Sequence, residues 1–273
     1  MKKSMSYIQV FLLILSVNQL VFSQENKETD NQDLAKASQN PIASLTTLPI
    51  QFNFNMGMGE YDRMQTVINI QPVLPLTIGK NWNMINRIII PLIVQPDFNA
   101  ENGSTTGLGI INYTAFFSPN LEGKLAIGFG PSLLIPTNSA SVLGDGQFAL
   151  GPSVVLFAGL SKWTLGFVAA QNWAYYTPNA SEKHNSFFIQ YFINYNLKKA
   201  WSVGMAPTIT VNWDAEKDEK ATVPFGLSVS KVTRLGKQPM KFALAYYYNA
   251  IRPTMGAKGG QIQAMMVFLF PKK

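Results

Sequence analysis

The chain holds one histidine, His184, and no cysteine. Hydrolysis through an activated serine needs a hydroxyl, an imidazole and a carboxylate held together. The serines nearest His184 are Ser181 and Ser186, and the carboxylate beside them is Glu182. All share one loop expected to face outward, which offers no rigid frame, so no catalytic residue is assigned and no enzyme is expected. One imidazole with scattered loop carboxylates lacks metal-ligand spacing. No metal and no cofactor is expected, beyond divalent ions bound loosely at acidic loops. The absence of cysteine removes disulfide scaffolds and thiolate sites. The run Gly103 to Gly109 has neither the lysine nor the following helix of a phosphate loop, and reads as a plain loop.

Composition narrows the class further. Charged residues make up 14% of the 273, against about 25% in soluble domains. Mean hydropathy is only +0.06, too low for a bundle of membrane helices. The net charge of +7 comes from lysines spread along the chain, with no basic helix or aromatic-basic motif, so no nucleic-acid partner is expected. Lys2 and Lys3 precede an apolar run that ends at Val21-Phe22-Ser23 before the polar Gln24. That is the form of a secretory signal peptide over residues 1–23. Residues 24–47 then read as a polar, mobile periplasmic segment and a candidate plug, with Asp33 to Ser38 able to form a turn or two of helix. Residues 48–273 form the remaining domain.

The stretch Trp201 to Trp213 carries the main structural signal of that domain. Its odd positions are apolar throughout and its even positions small or polar, the period-two pattern of a strand with one greasy and one wet face. Twelve steps at ~3.3 Å, tilted by ~40°, rise ~30 Å, close to the ~25 Å apolar band that aromatic girdles flank in membrane barrels. A soluble β-sandwich strand would fit this stretch alone equally well. The same alternation recurs from Leu48 to Phe270 and gives twelve candidate strands. Connections after odd-numbered strands are long and acidic (Glu60, Asp97, Asp145, Asp214), and those after even ones short and basic (Lys80, Lys124, Lys162, Lys198). A sandwich has no reason for this, whereas an outer-membrane barrel has long external loops and short periplasmic turns. Trp82, Trp163 and Trp201 then start strands at the inner interface, and Trp173 and Trp213 end strands at the outer one, forming an aromatic girdle. The expected fold is all-β: a transmembrane antiparallel up-and-down β-barrel of about 12 strands with periplasmic termini, in the bacterial cell outer membrane. Pro72, Pro91, Pro131, Pro152 and Pro207 all fall inside expected strands, where a missing N–H breaks a ladder, and leave the register open by a residue or two.

Asn40-Pro41-Ile42-Ala43-Ser44-Leu45, Asn69-Ile70-Gln71-Pro72-Val73, Gly128-Phe129-Gly130-Pro131 and Leu150-Gly151-Pro152-Ser153 carry a family resemblance. The chain, from about Asn40 to Phe270, is similar to bacterial outer-membrane transporters of the meta-pathway phenol-degradation family, often labelled "neuromedin U". The resemblance implies outer-membrane location and solute uptake, and supplies no agreed functional residues. One departure is the ending Phe270-Pro271-Lys272-Lys273, where such barrels commonly stop at an aromatic residue.

Function then falls to the inward face. Its lumen-lining candidates are Gln51, Asn53, Asn69, Gln71, Arg87, Gln190, Asn194, Lys241 and Gln263. Two cations in a neutral polar lumen suit small polar or anionic solutes, or equally a structural network. Phe116, Phe188, Phe192 and Tyr247 could instead line a site for an aromatic or apolar compound. The reading is a passive channel or facilitator for small molecules. Its partners are the outer-membrane lipid bilayer, a small-molecule solute and, during biogenesis, the barrel-assembly machinery. The alternatives are a plugged structural or adhesive barrel working through its external loops, or a secretion pore, for which no passenger is visible.

Overall fold

A computed structural model describes residues 30–121, 123–176 and 184–271. The signal peptide expected over residues 1–23 lies outside them. The strands are β1 (Thr46–Met58), β2 (Arg63–Ile70 continuing as Val73–Ile78), β3 (Trp82–Pro96), β4 (Ser104–Leu108 and Ile111–Pro119), β5 (Leu125–Ile135) and β6 (Phe148–Leu160). They continue as β7 (Trp163–Tyr176), β8 (Asn185–Asn196), β9 (Trp201–Met205 and Thr208–Asn212), β10 (Ala221–Leu235), β11 (Gln238–Ile251) and β12 (Gly260–Phe270). Each pairs antiparallel with its chain neighbours, and β1 pairs with β12 from Thr46↔Phe270 to Met56↔Gly260. The sheet therefore closes into a 12-stranded barrel with no free edge, as a spanning sheet must.

The outer wall is apolar along every strand, for example Leu125, Ile127 and Phe129 on β5, and Phe225, Leu227 and Val229 on β10, all exposed. In water such a surface would drive aggregation, and in lipid it is the stable face. No helix of the described residues is long and apolar enough to cross a membrane, and the strands do the crossing. The five tryptophans are all exposed on this wall. Lys231 lies 4.9 Å above the ring of its cross-strand neighbour Trp201, a cation–π contact suited to the membrane interface.

The prolines are accommodated by pairing on one side and leaving the other side open. Pro131 lies directly opposite Pro152. On their far sides, the β4–β5 ladder skips from Thr114↔Ser132 to Phe117↔Phe129, and the β6–β7 ladder from Leu150↔Trp173 to Ser153↔Ala170. The glycine before each proline permits this close approach: a Cβ on Gly130 would sit 1.8 Å from the Ala115 carbonyl oxygen, and one on Gly151 1.8 Å from that of Gln171. Pro91 pairs with Asn69 and accepts 2.9 Å from the Gly109 N–H. The Gly103 to Gly109 run, expected as a loop, therefore supplies strand Ser104–Leu108. Two of its glycines pack closely: a Cβ on Gly107 would meet Ser139 Oγ at 2.0 Å, and one on Gly109 the end of the Ile93 side chain at 2.7 Å.

The segment before β1 is docked on the barrel where it is described. Residues 30–37 are helical and lie across the short-turn end of the lumen. Leu34, Ala35 and Leu45 pack against Ala200, Val232, Val267 and Leu269 on one wall. Ile42 packs against Ile85, Phe116, Val155 and Val168 on the other. Polar ties complete the dock: Gln32 bonds the Leu197 carbonyl and the Ala200 N–H, both at 2.8 Å. Gln39 Nε2 donates to Asn196 Oδ1 at 2.8 Å and Ser202 Oγ at 3.0 Å, and Asp30 pairs with Arg234.

Candidate functional site

Above the docked segment the lumen holds two cavities in series. The outer one, about 760 Å³, reaches from Phe98, Pro253 and Met255 on the long loops down to Arg87, Asn69 and Asn53. The inner one, about 200 Å³, lies between residues 37–45 and the wall carrying Phe192, Asn194, Lys241 and Tyr247. Four glutamines border both: Gln51, Gln71, Gln190 and Gln263. They form the neck between the chambers. The nine inward residues singled out from the sequence thus all face one chamber or both.

A relay of side-chain amides builds the neck. Arg87 Nη2 donates to Gln71 Oε1 at 3.2 Å, and Gln71 Nε2 to Gln51 Oε1 at 3.0 Å. Gln51 Nε2 and Gln263 Nε2 both donate to Asn53 Oδ1, at 2.8 and 3.1 Å. Period-two placement on paired strands makes this possible, because Asn53 faces Gln263 across β1 and β12. A second tier stands two residues higher: Gln261 donates to Asn55, Asn55 to Gln65, and Gln65 to Gln95, at 2.8, 2.7 and 2.6 Å. These four were missed as site residues although Asn55, Gln65 and Gln261 continue the same inward faces. That spacing was the available signal.

Two prolines shape the neck. β2 breaks at Gln71–Pro72, where the Gln71 N–H donates to the Pro49 carbonyl at 2.9 Å and the Pro72 carbonyl accepts from Ile88 at 3.1 Å. β9 breaks at Ala206–Pro207. There the Ala206 N–H donates to the Tyr247 hydroxyl at 3.1 Å, and Gln190 Nε2 donates to the Ala206 carbonyl at 3.3 Å. At Pro207 lumenal side chains thus satisfy the backbone groups that the broken ladder frees, and at Pro72 backbone partners do. Pro207 itself is fully buried and borders the outer chamber. This corrects the unbroken alternation expected for Trp201 to Trp213, which set Pro207 on the lipid face.

The aromatic candidates separate. Phe188 borders the outer chamber, and Phe192 and Tyr247 the inner one. Phe116 borders neither: it is fully buried with Ile85, Val155 and Val168, because one side of the inner half is filled by apolar side chains rather than left open.

The cations have little company. Arg87 reaches Gln71. Lys241 sits between its cross-strand neighbours Val232 and Val267, both buried. Among the described residues no hydrogen bond or carboxylate partner meets Lys241, and no Asp or Glu borders either chamber.

At the outer mouth His184 is not isolated. Its Nδ1 lies 2.5 Å from Asp145 Oδ2 and its Nε2 2.6 Å from Ser186 Oγ, while its backbone N–H donates 2.8 Å to Gln147 Oε1. The carboxylate on the imidazole is Asp145, from the preceding long loop and 39 residues away; Ser181 and Glu182 lie outside the described residues. The arrangement has the order of a nucleophile relay. In this fold it ties the β5–β6 loop to the start of β8. Burial raises the Asp145 pKa, and hydrogen bonds from His184 and the Gln147 N–H outweigh that and hold it below its ordinary value. No three described His, Asp or Glu residues converge as a metal site.

The fold resembles that of known outer-membrane barrels. The COG4313 outer membrane channel from Pseudomonas putida F1 matches with a TM-score of 0.63 at 15% identity, over 83% of this chain and 96% of that one. The NanC porin matches with a TM-score of 0.52 at 8% identity, over 83% of this chain and 100% of that one. No sequence among curated proteins matches the chain. The protein is a bacterial outer-membrane β-barrel. The family model described as "Putative MetA-pathway of phenol degradation" matches residues 33–249, most of the 273 residues, and the chain belongs to that family.

Proposed function

We propose that this barrel is a passive channel or facilitator for small molecules across the outer membrane, with residues 30–45 closing its inner end. The observation that carries the reading is the series of two chambers joined by a neutral amide neck and stopped by the docked segment. A barrel kept only for strength or adhesion has no need of a built lumen with uncompensated cations, since ionisable groups at membrane depth are costly and usually mark a solute path. The similar Pseudomonas structure is named a channel and the family is named for phenol degradation, which favours small organic solutes. The bilayer and the solute are the working partners, and folding relies on the barrel-assembly machinery of the outer membrane.

Liposome swelling tests this. Proteoliposomes carrying the refolded chain lacking residues 24–45 are expected to admit one-ring and other small solutes and to exclude raffinose. Full-length protein should be slower by at least tenfold. Swelling no faster than in empty liposomes, with folding confirmed by a heat-modifiable gel shift, would refute the channel and leave the plugged structural or adhesive barrel.

A further inference from the structure

The inner chamber contains an unanswered charge. Lys241 rises from β11 between Val232 and Val267 into a space enclosed below by residues 37–45 and above by the glutamine neck. An ammonium at membrane depth is normally paired, and a buried charge left unpaired costs several kcal/mol. Among the described residues no carboxylate borders this chamber, and the one carboxylate of the docked segment that forms an ion pair, Asp30, is taken by Arg234. A solute that enters the chamber can bring the counter-charge.

The remaining lining says what kind of solute. Phe192 and Tyr247, both buried, give an apolar wall, and Asn194, Ser228 and Ser230 give neutral polar contacts near the cation. At about 200 Å³ the chamber falls below the ~300–1,000 Å³ of drug-sized pockets and suits a one-ring molecule. A small inorganic anion would satisfy Lys241 but leave the aromatic wall unused. A neutral ring would use the wall and leave Lys241 unpaired. We propose that the inner chamber is a binding site for a one-ring organic acid, its carboxylate on Lys241 and its ring against Phe192 and Tyr247. Arg87, at the base of the outer chamber, meets the same anion first. This rests on reading the lumen as a solute route, but binding can be measured without transport.

The test is calorimetry on the refolded full-length barrel in detergent, with benzoate, its neutral counterpart benzyl alcohol, and inorganic phosphate as probes. Benzoate is expected to bind at least tenfold tighter than either of the others. Lys241→Met should remove that preference, Lys241→Arg should keep it, and Lys124→Met, on an exposed turn, should leave it within about threefold. Equal affinity for benzoate and benzyl alcohol, phosphate binding as well as benzoate, or an unchanged benzoate affinity in a folded Lys241→Met barrel would each overturn the proposal. So would the absence of benzoate binding to a barrel that passes the swelling test, an outcome that would leave the channel reading standing.

Discussion

If residues 30–45 are the inner stop, weakening their contacts should open the barrel by a calculable amount. The perturbation is the pair Leu34→Ala and Ile42→Ala. Leu34 lies in the cluster that holds Ala200, Val232, Val267 and Leu269, and Ile42 in the one that holds Ile85, Phe116, Val155 and Val168. The two share no partner, so their effects should add. Truncating a buried Leu or Ile costs ~2–5 kcal/mol, and the lower end applies because a terminal segment can slide to refill the gap. Two such losses sum to about 4 kcal/mol, close to three orders of magnitude in the docking equilibrium at ~1.4 kcal/mol per decade. The assay is the fraction of time a single barrel conducts in a planar bilayer, with heat-modifiability confirming the fold. Each single variant should raise that fraction over the full chain by tens-fold, the pair by hundreds-fold until it saturates, and removal of residues 24–45 should leave the barrel open. A truncated barrel that conducts no more than the full chain would show that the neck, not the segment, closes the lumen. A double variant that stays shut while the truncated form conducts would refute the energetic reasoning, and would place the hold in Gln32, Gln39 and the Asp30–Arg234 pair.

Three further outcomes are expected. In the truncated barrel, Arg87→Glu should move the reversal potential under a salt gradient from anion toward cation preference, because no carboxylate borders either chamber; an unmoved potential would take Arg87 out of the ion path. Gly130→Ala puts a Cβ 1.8 Å from a backbone oxygen, so it should cost at least the ~1–3 kcal/mol of overpacking and lower the urea midpoint or abolish the heat-modifiable band. The Asp145 pKa is depressed in the folded protein, so its stabilising contribution is complete above the unfolded value of about 3.9 and is lost as pH falls through the lower folded one. Hydrogen exchange should show residues 136–147 losing protection as the medium is acidified through that range, and Asp145→Asn should be weakly protected at both ends of it.

The barrel was legible because lipid on one side and lumen on the other impose period two on every strand, and because loop length alternates with side. Gln51, Asn53 and Gln263 could be placed for the same reason: their inward parity survives a strand offset of two residues. Apart from the second tier of amides, what escaped had no periodic trace. The docking of Leu34 and Ile42 joins a segment of mixed composition to walls far away in sequence. The carboxylate for His184 came from another loop. Phe116 has the inward parity of a lumen residue, and whether an inward side chain meets empty space or its neighbours depends on which strands face it across the barrel.

The prolines that most unsettled the expected register turn out to sit where the lumen narrows. The ladder broken at Pro207 frees backbone groups that two inward side chains, Gln190 and Tyr247, then claim, and both border the inner chamber, whereas at Pro72 backbone partners serve instead. The break at Pro207 therefore ties the β9 wall to Gln190 at the neck. A neck of amides bonded to one another can hold its shape without carrying net charge, so it does not select by ionic sign. If the lumen is the solute route we propose, selection by charge falls to Arg87 above it and Lys241 below it. A charged ring at the narrowest point would bind its counter-ion most tightly where it most needs to move on, whereas a neutral ring between two cations lets an anion step from one to the other.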